Sequence, residues 1–285
     1  MSATPHGPGP ARGDRPSALL PLAPAQVPTL ALAAVLGLLA FTWPLLPGLG
    51  PAAAPSASPA GLLGGAPGAA GTTLLFAAVL VVVLAVVVAE VAGGTLDARA
   101  VAVLGVLTAV GAALRPLGTG IAGFEPVFFL LVLAGRAFGP GFGLVLGATT
   151  LFASALTTGG VGPWLPYQML GAAGVGAGAG LLPGWRGRTE AALIAGYALV
   201  AGLAYGLLLN LSFWPYVVTG PSAIAFVPGA AVVDNLRRFV AFTAATSLGF
   251  DVPRAIVTAV LVTLTGRRVL VTLRRAARRA TMTPA

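Results

Sequence analysis

Between Val27 and Leu270 the chain alternates long apolar stretches with short polar or breaker-rich joints, and most of its arginines fall at those joints. Eight stretches read as membrane-spanning helices, at about 27–46, 72–91, 98–114, 124–138, 141–156, 165–182, 191–211 and 252–270. A helix is the expected state because a segment in lipid must satisfy its backbone hydrogen bonds internally. Several stretches are shorter than the roughly 20 residues of a perpendicular span, so tilt or arginines snorkelling from the ends must make up the difference. No charge occurs from Ala137 to Trp185, which is enough for two crossings with TTGGVGPW as the turn between them. Residues 235–248 read instead as an interfacial or partly buried helix on one face.

The flanking segments have a different pattern. Residues 1–23 are polar and rich in Pro and Gly, and read as a disordered tail. The first apolar stretch resembles a signal peptide in being followed by PSASPA. Its length of about 20 residues is long for a cleaved hydrophobic region and favours a retained anchor. An uncharged Ala/Gly/Pro/Ser linker fills 47–71. The expected organisation is therefore a tail at 1–23, two N-terminal spans within 24–93, a six-helix membrane domain at 97–273 and a basic tail at 274–285.

Composition sharpens the class. Fifty-seven per cent of residues are hydrophobic and 8% charged, more apolar surface than a soluble chain of 285 residues can hide. The chain reads as an all-α integral membrane protein. It has no cysteine and no lysine, and its single histidine, His6, lies in the polar tail. That excludes a His-based triad, a thiol nucleophile, a Schiff-base lysine and a Cys/His metal site inside the fold. It also excludes a Walker A loop, which needs lysine. The reading is of a non-enzyme with no cofactor and no metal, whose ATP-driven work, if any, comes from a partner.

The net charge of +9 arises from 16 arginines against seven acids. Arginines flanking membrane spans explain it better than nucleic-acid binding does. With eight spans and both termini inside, Arg12, Arg15, Arg99, Arg136, Arg186 and Arg188 face the cytoplasm, with the six of RRVLVTLRRAARRA at 267–280. That basic segment suits anionic lipid or a partner. Only Arg115, Arg237, Arg238 and Arg254 face outward.

Those four have polar and aromatic company. Arg115 ends one stretch and Glu125 opens the next. Trp164, Tyr167 and Gln168 lie in the outer turn GPWLPYQM; Asn210, Trp214 and Tyr216 end a later stretch. Asp234, Asn235, Arg237 and Arg238 follow, then Asp251 and Arg254. Arg115, Glu125, Trp164, Tyr167, Gln168, Asn210, Trp214, Asn235 and Arg238 are the candidate binding residues for a polar, partly aromatic small molecule. Two plainer readings stand beside this one. The aromatics suit an interfacial belt, and Glu125 suits a structural partner of Arg115. On the other half, Ala98 and Ala102, continued by Gly105, Ala109 and Ala113, make a small-residue stripe that lets another helix approach. The run GAAGVGAGAG permits close packing and is not a phosphate loop, since no strand precedes it.

The segment EPVFFLLVLAGRAFGPGFGLVLGATTLFASALTTGGVGPWLPYQMLGAAGVGAGAGLLP, with the later NLSFWP and NLRRFVAFTAATSLGFDVPRAIVTAVLVTLTGRRVL, resembles the substrate-binding S component of energy-coupling factor (ECF) vitamin transporters of the actinobacterial type. The resemblance covers about 98–275. It implies a six-helix S-component-like bundle, here preceded by two extra transmembrane helices, in a bacterial plasma membrane. It implies a vitamin-sized ligand near the outer face, held and covered by the loops around 115–125, 159–168 and 210–238. It further implies a transmembrane T component contacted through Ala98 and Ala102, and two separate ATPases. The competing reading is a self-sufficient secondary transporter of a small polar molecule. Its usual signs, intramembrane acids and paired broken helices, are missing, so Glu125 alone would have to serve.

Overall fold

The computed structural model describes residue 24, residues 27–45, 69–92, 96, 98–118, 123–217 and 222–281, with side chains from 77 in the second helix and to 278 in the last. The tail at 1–23 and nearly all of the linker lie outside the described residues. Within them the chain is helical, with no strand. The helices are α1 (Val27–Thr42), α2 (Ala69–Ala92), α3 (Ala98–Leu114), α4 (Val127–Phe138), α5 (Pro140–Thr158), α6 (Leu165–Leu181), α7 (Gly187–Val217), α8 (Val232–Thr246) and α9 (Leu248–Thr281). Short 3-10 turns extend α1 through Trp43–Leu45 and α3 through Arg115–Gly118.

Every expected apolar stretch is a helix, but not all have span length. Five helical segments are long and apolar enough to cross a membrane: Val27–Leu45, Ala98–Gly118, Pro140–Thr158, Gly187–Tyr216 and Leu248–Arg278. α2 has 24 residues, of which the part described with side chains, Ala77–Ala92, is shorter than a span, and α4 has 12 residues, about 18 Å of rise. Two helices exceed the expected bounds. α7 has 31 residues against the expected 191–211, and α9 has 34 against 252–270. The basic segment expected to be a tail from 274 instead continues α9. Leu270, Leu273 and Ala277 are buried on the body, and that apolar face holds the helix straight on. The short helix expected at 235–248 is α8, which buries Asn235, Phe239 and Phe242 and exposes Val233, Leu236 and Val240.

The centre is built on glycine. A side chain at Gly176 of α6 would meet the backbone of Gly143 in α5. One at Gly135 of α4 would meet the backbone of Gly176. Gly147 and Gly180 have no room either, against Ala172 and against Gly139 and Pro140. In lipid, where water does not drive helices together, this close approach supplies the dispersion contacts that hold a bundle. The run GAAGVGAGAG is therefore the packing face of α6. The reversal from α4 to α5 is also glycine-made. Gly139 stands at φ +102°, closes α4 through its N–H on Gly135 O at 2.8 Å, and hands the chain to Pro140 at the start of α5. Phe138 and Phe142 stack across it at 4.3 Å.

A second close contact joins α7 to α9. Gly202 and Gly206, four apart on α7, face Ala255 and the Asp251 carboxylate, and a Cβ at Gly206 would overlap that carboxylate. α1 and α2 pack chiefly on α5, α6 and α7. Phe41 meets Tyr167 at 5.9 Å, and Trp43 meets Tyr216 at 5.5 Å. That leaves one face of α3 uncovered: Ala98, Ala102, Gly105, Ala109 and Ala113 are all exposed, with nothing within 4 Å of a Cβ at Gly105.

Candidate functional site

Charges gather at the two ends of the bundle. Glu190 and Asn210 lie 20 residues apart on α7, as do Arg254 and Arg274 on α9, about 30 Å in each case. That is the thickness of a hydrocarbon core. The ends are called here after their acids, the Glu125 end and the Glu190 end.

At the Glu125 end five helices converge. The loop before α4 is pressed on the start of α9: Gly123, at φ +71°, abuts Phe250 O, Pro253 and Arg254 N, so only glycine fits. This brings Glu125 Oε1 to 2.8 Å from Arg254 Nη2. Asp251, one turn earlier on α9, accepts from Arg254 Nη1 at 2.6 Å. Asn210 of α7 reaches the other Asp251 oxygen at 3.5 Å. The Arg254 guanidinium lies 5.3 Å from the Tyr205 ring and 5.8 Å from the Phe128 ring, in cation–π contact with both. Its Nε is buried with no hydrogen-bond partner. Arg115, at the end of α3, donates to Gln168 Oε1 at the start of α6 at 2.8 Å. Tyr205 lies within electrostatic reach of Glu125, Arg254 and Arg115 together.

The expected pairing of Arg115 with Glu125 is thus corrected. Glu125 is taken by Arg254, because Gly123 docks its loop on α9, and Arg115 is left with a neutral amide. Of the sequence candidates, Arg115, Glu125, Gln168 and Asn210 come together here. The others are used within the fold. Tyr167 is buried, with Phe213 at 5.4 Å. Trp214 is fully buried, donates Nε1 to Ile224 O at 2.7 Å, and packs on Phe226 and Phe239. Asn235 clamps Val227 through both backbone groups, at 3.0 and 2.9 Å, and Arg238 donates to Ser222 O at 2.9 Å. Together they fasten residues 222–231 over α7 and α8. Trp164 is exposed and bonds its own loop at Gly160 O. Asp251, Arg254, Tyr205 and Phe128 complete the cluster. The signal for the first two is their spacing of three on one helix; for Tyr205 it is its position between Gly202 and Gly206.

Two further polar side chains lie deeper. Thr150 and Ser154, one turn apart on α5, are fully buried, and neither hydroxyl has a hydrogen-bond partner. Thr150 faces α3, its Oγ1 3.1 Å from where a Gly111 Cβ would be, and Thr108 and Thr149 bond at 2.9 Å one turn below. The two helices run parallel, so the same register one turn on sets the end of α3 against Ser154.

The Glu190 end had no sequence signal. Arg136, at the end of α4, is fully buried. It bonds Glu190 Oε1 at 2.9 Å and the backbone oxygens of Leu182, Pro183 and Trp185 at 2.7, 3.0 and 3.3 Å. Arg274 shares the same carboxylate, reaching Oε2 at 3.2 Å. The guanidinium thereby holds the α6–α7 joint, α7 and α9 to α4.

Comparison of the chain with protein-family models, with curated proteins and with solved structures finds no match in any of the three. What fold and site define is a class: a chain all-helical among the described residues, with several helices long and apolar enough for a membrane, carrying a polar, aromatic-backed cluster at one end.

Proposed function

We propose that this chain is the membrane-embedded substrate-binding subunit of an ECF-type ABC importer, with a six-helix S-component-like body in α3–α7 and α9 and two additional helices, α1 and α2. It captures a vitamin-sized molecule at the Glu125 end, facing outward in the plasma membrane, and delivers it inward with a T component and two ATPases. The observation that carries this reading is the convergence of α3, α4, α6, α7 and α9 on one half-buried cluster of arginines, carboxylates and amides. Such a cluster fixes a polar ligand by a few directed contacts. The cluster lies at the end that the arginine distribution assigns to the outside. Support for the partner comes from the uncovered small-residue face of α3, where a second membrane helix can approach closely. With no lysine for a nucleotide loop, energy must enter through another chain, by contacts that differ between two orientations of this one. A secondary transporter is less well supported, because Glu125 and Asp251 are both held by Arg254 and lie at the end of the bundle rather than at its middle.

The test is purification from rich medium with mass spectrometry of what co-elutes, beside uptake of that compound with and without a T component and its ATPases. Retention of a small molecule by the solitary chain and uptake only with the partners are expected. Uptake by the chain alone would make it a secondary transporter. Ala98→Trp or Ala102→Trp is expected to abolish co-purification with the T component while leaving binding intact; normal co-purification places the contact elsewhere.

A further inference from the structure

The cations at the Glu125 end are not equivalent. Arg254 holds both carboxylates of the cluster, Glu125 and Asp251. Arg237 pairs with Asp234, and Arg238 is taken by a backbone oxygen. Arg115 has no carboxylate among the described residues; its partner is the neutral Oε1 of Gln168. The cluster is therefore polar along its length, with an excess of negative charge at Glu125 and Asp251 and an uncompensated guanidinium at Arg115. Carrying the Gly111–Thr150 register of α3 and α5 one turn on sets Ser154 against the end of α3 that bears Arg115, and the buried Ser154 hydroxyl has no partner. A buried donor left unmade is destabilising by itself and calls for an explanation, of which a bound group is one.

Resting on the binding-subunit reading above, we propose that the ligand is an anion, and that its carboxylate or equivalent oxyanion seats on Arg115 in place of the Gln168 amide oxygen, with the Ser154 hydroxyl donating to it. Gln168 is then a placeholder: its oxygen occupies the anion's position and turns away on binding. The guanidinium fork suits two parallel bonds to a carboxylate, which a single amide oxygen does not supply. The carboxylates at the other pole repel a second anionic group, so the negative charge belongs at one end of the molecule only. Glu125, holding Arg254 through Oε1, keeps its second oxygen for an N–H donor of the ligand.

Matched pairs of probes that differ only in charge test this: nicotinate against nicotinamide, and benzoate against benzamide, titrated into the purified full chain in nanodiscs with thermal unfolding and calorimetry as readouts. The carboxylates are expected to raise the unfolding temperature and the amides to leave it unchanged. Arg115→Gln is expected to weaken carboxylate binding roughly 10- to 100-fold, the loss of a charged hydrogen-bonded contact. Ser154→Ala gives a smaller loss, and Arg237→Gln, on the same end but paired with Asp234, gives none. Equal response to both members of each pair, or response to neither, overturns the anionic assignment. So does carboxylate binding that survives Arg115→Gln in a variant that folds normally. The compound that co-elutes separates this from the reading beneath it. A neutral or cationic compound removes the anion and keeps the binding subunit; no compound together with no partner-dependent uptake removes both.

Discussion

The two ends of the bundle are built from the same groups in opposite proportion. At the Glu125 end one arginine, Arg254, stands between two carboxylates; at the Glu190 end one carboxylate stands between two arginines, Arg136 and Arg274. The consequences differ because the remaining valences are filled differently. Arg136 is fully buried and engages Glu190 and three backbone oxygens through all three of its nitrogens, inside the body and away from solvent. The Glu125 end is incomplete. A guanidinium there faces a neutral amide, and Glu125 is about a third exposed, with its side chain at 32%. A saturated cluster fixes helices to one another, whereas an unsaturated one keeps bonding capacity for something else. Charge near the ends of membrane helices is thus no sign of function until its partners are counted.

The sharpest break of this comparison is Glu190→Ala. It leaves Arg136 buried with carbonyl partners only and opposes it to Arg274, a like charge previously bridged by the same carboxylate. Removing one partner of a buried pair typically destabilises by about 3–5 kcal/mol. Loss of monodisperse protein in detergent is expected, or a large fall in unfolding temperature followed by intrinsic fluorescence. A variant that purifies with normal stability would show that the backbone carbonyls alone suffice for Arg136, and that the cluster at the Glu190 end is not a latch.

A smaller effect is expected from Arg254→Gln. Asp251 and Glu125 then lose their common cation, and Asp251 is buried against Gly206 with only Asn210 nearby at 3.5 Å. The loss of charge-assisted bonds amounts to roughly 1.5–3 kcal/mol. It is softened because Glu125 is partly solvated and an amide at 254 still donates to one carboxylate. Chemical or thermal unfolding beside Glu190→Ala gives the order directly. A reversal, with Arg254→Gln the more damaging, would make the Glu125 end the structural one and remove its candidacy as a site.

How far the sequence reached follows the same division. Helices were legible because apolar runs and arginine-marked joints are local signals, and α8 was set apart from the spans by the arginine count, which a ninth span would reverse. The lengths of α7 and α9 were not, since both continue past the apolar run on residues that only the body accounts for, such as Leu273 and Ala277 on α9. Within the site, Arg115, Glu125, Gln168 and Asn210 were legible as polar residues at span ends. Their pairing was not: whether Glu125 goes to Arg115 or Arg254 is decided by Gly123 docking on Pro253, a contact 130 residues away in sequence. Trp214 and Asn235 illustrate the converse. Aromatic and amide residues near an interface read as ligand groups, yet their bonds to Ile224 and Val227 are consumed in fastening one loop. Arg136 was counted only as an orientation marker, because nothing local announces that Glu190, 54 residues on, will meet it.

The smallest change to the fold is expected from Glu125→Gln, and it is the most informative about the comparison. The amide oxygen can still accept from Arg254, Asp251 keeps the remaining half of the guanidinium, and the position is partly solvated. With the amide oxygen still accepting from Arg254 and the Glu125 side chain about a third exposed, the charge lost is worth about 1 kcal/mol, so the unfolding temperature should move little. Ligand binding is another matter. Glutamine offers one acceptor where glutamate offers two, so if the oxygen facing away from Arg254 accepts a hydrogen bond from the ligand, the variant loses that bond or the one to Arg254. Affinity for the co-eluting compound should then fall by roughly 5- to 150-fold, the range for removing a partner from a poorly solvated polar contact. Calorimetry and thermal unfolding on the same preparation separate the two. Affinity lost with stability kept is the signature of an unsaturated cluster. Affinity kept with stability lost would mean that Glu125 is a second Glu190, a strut, and that the ligand lies elsewhere.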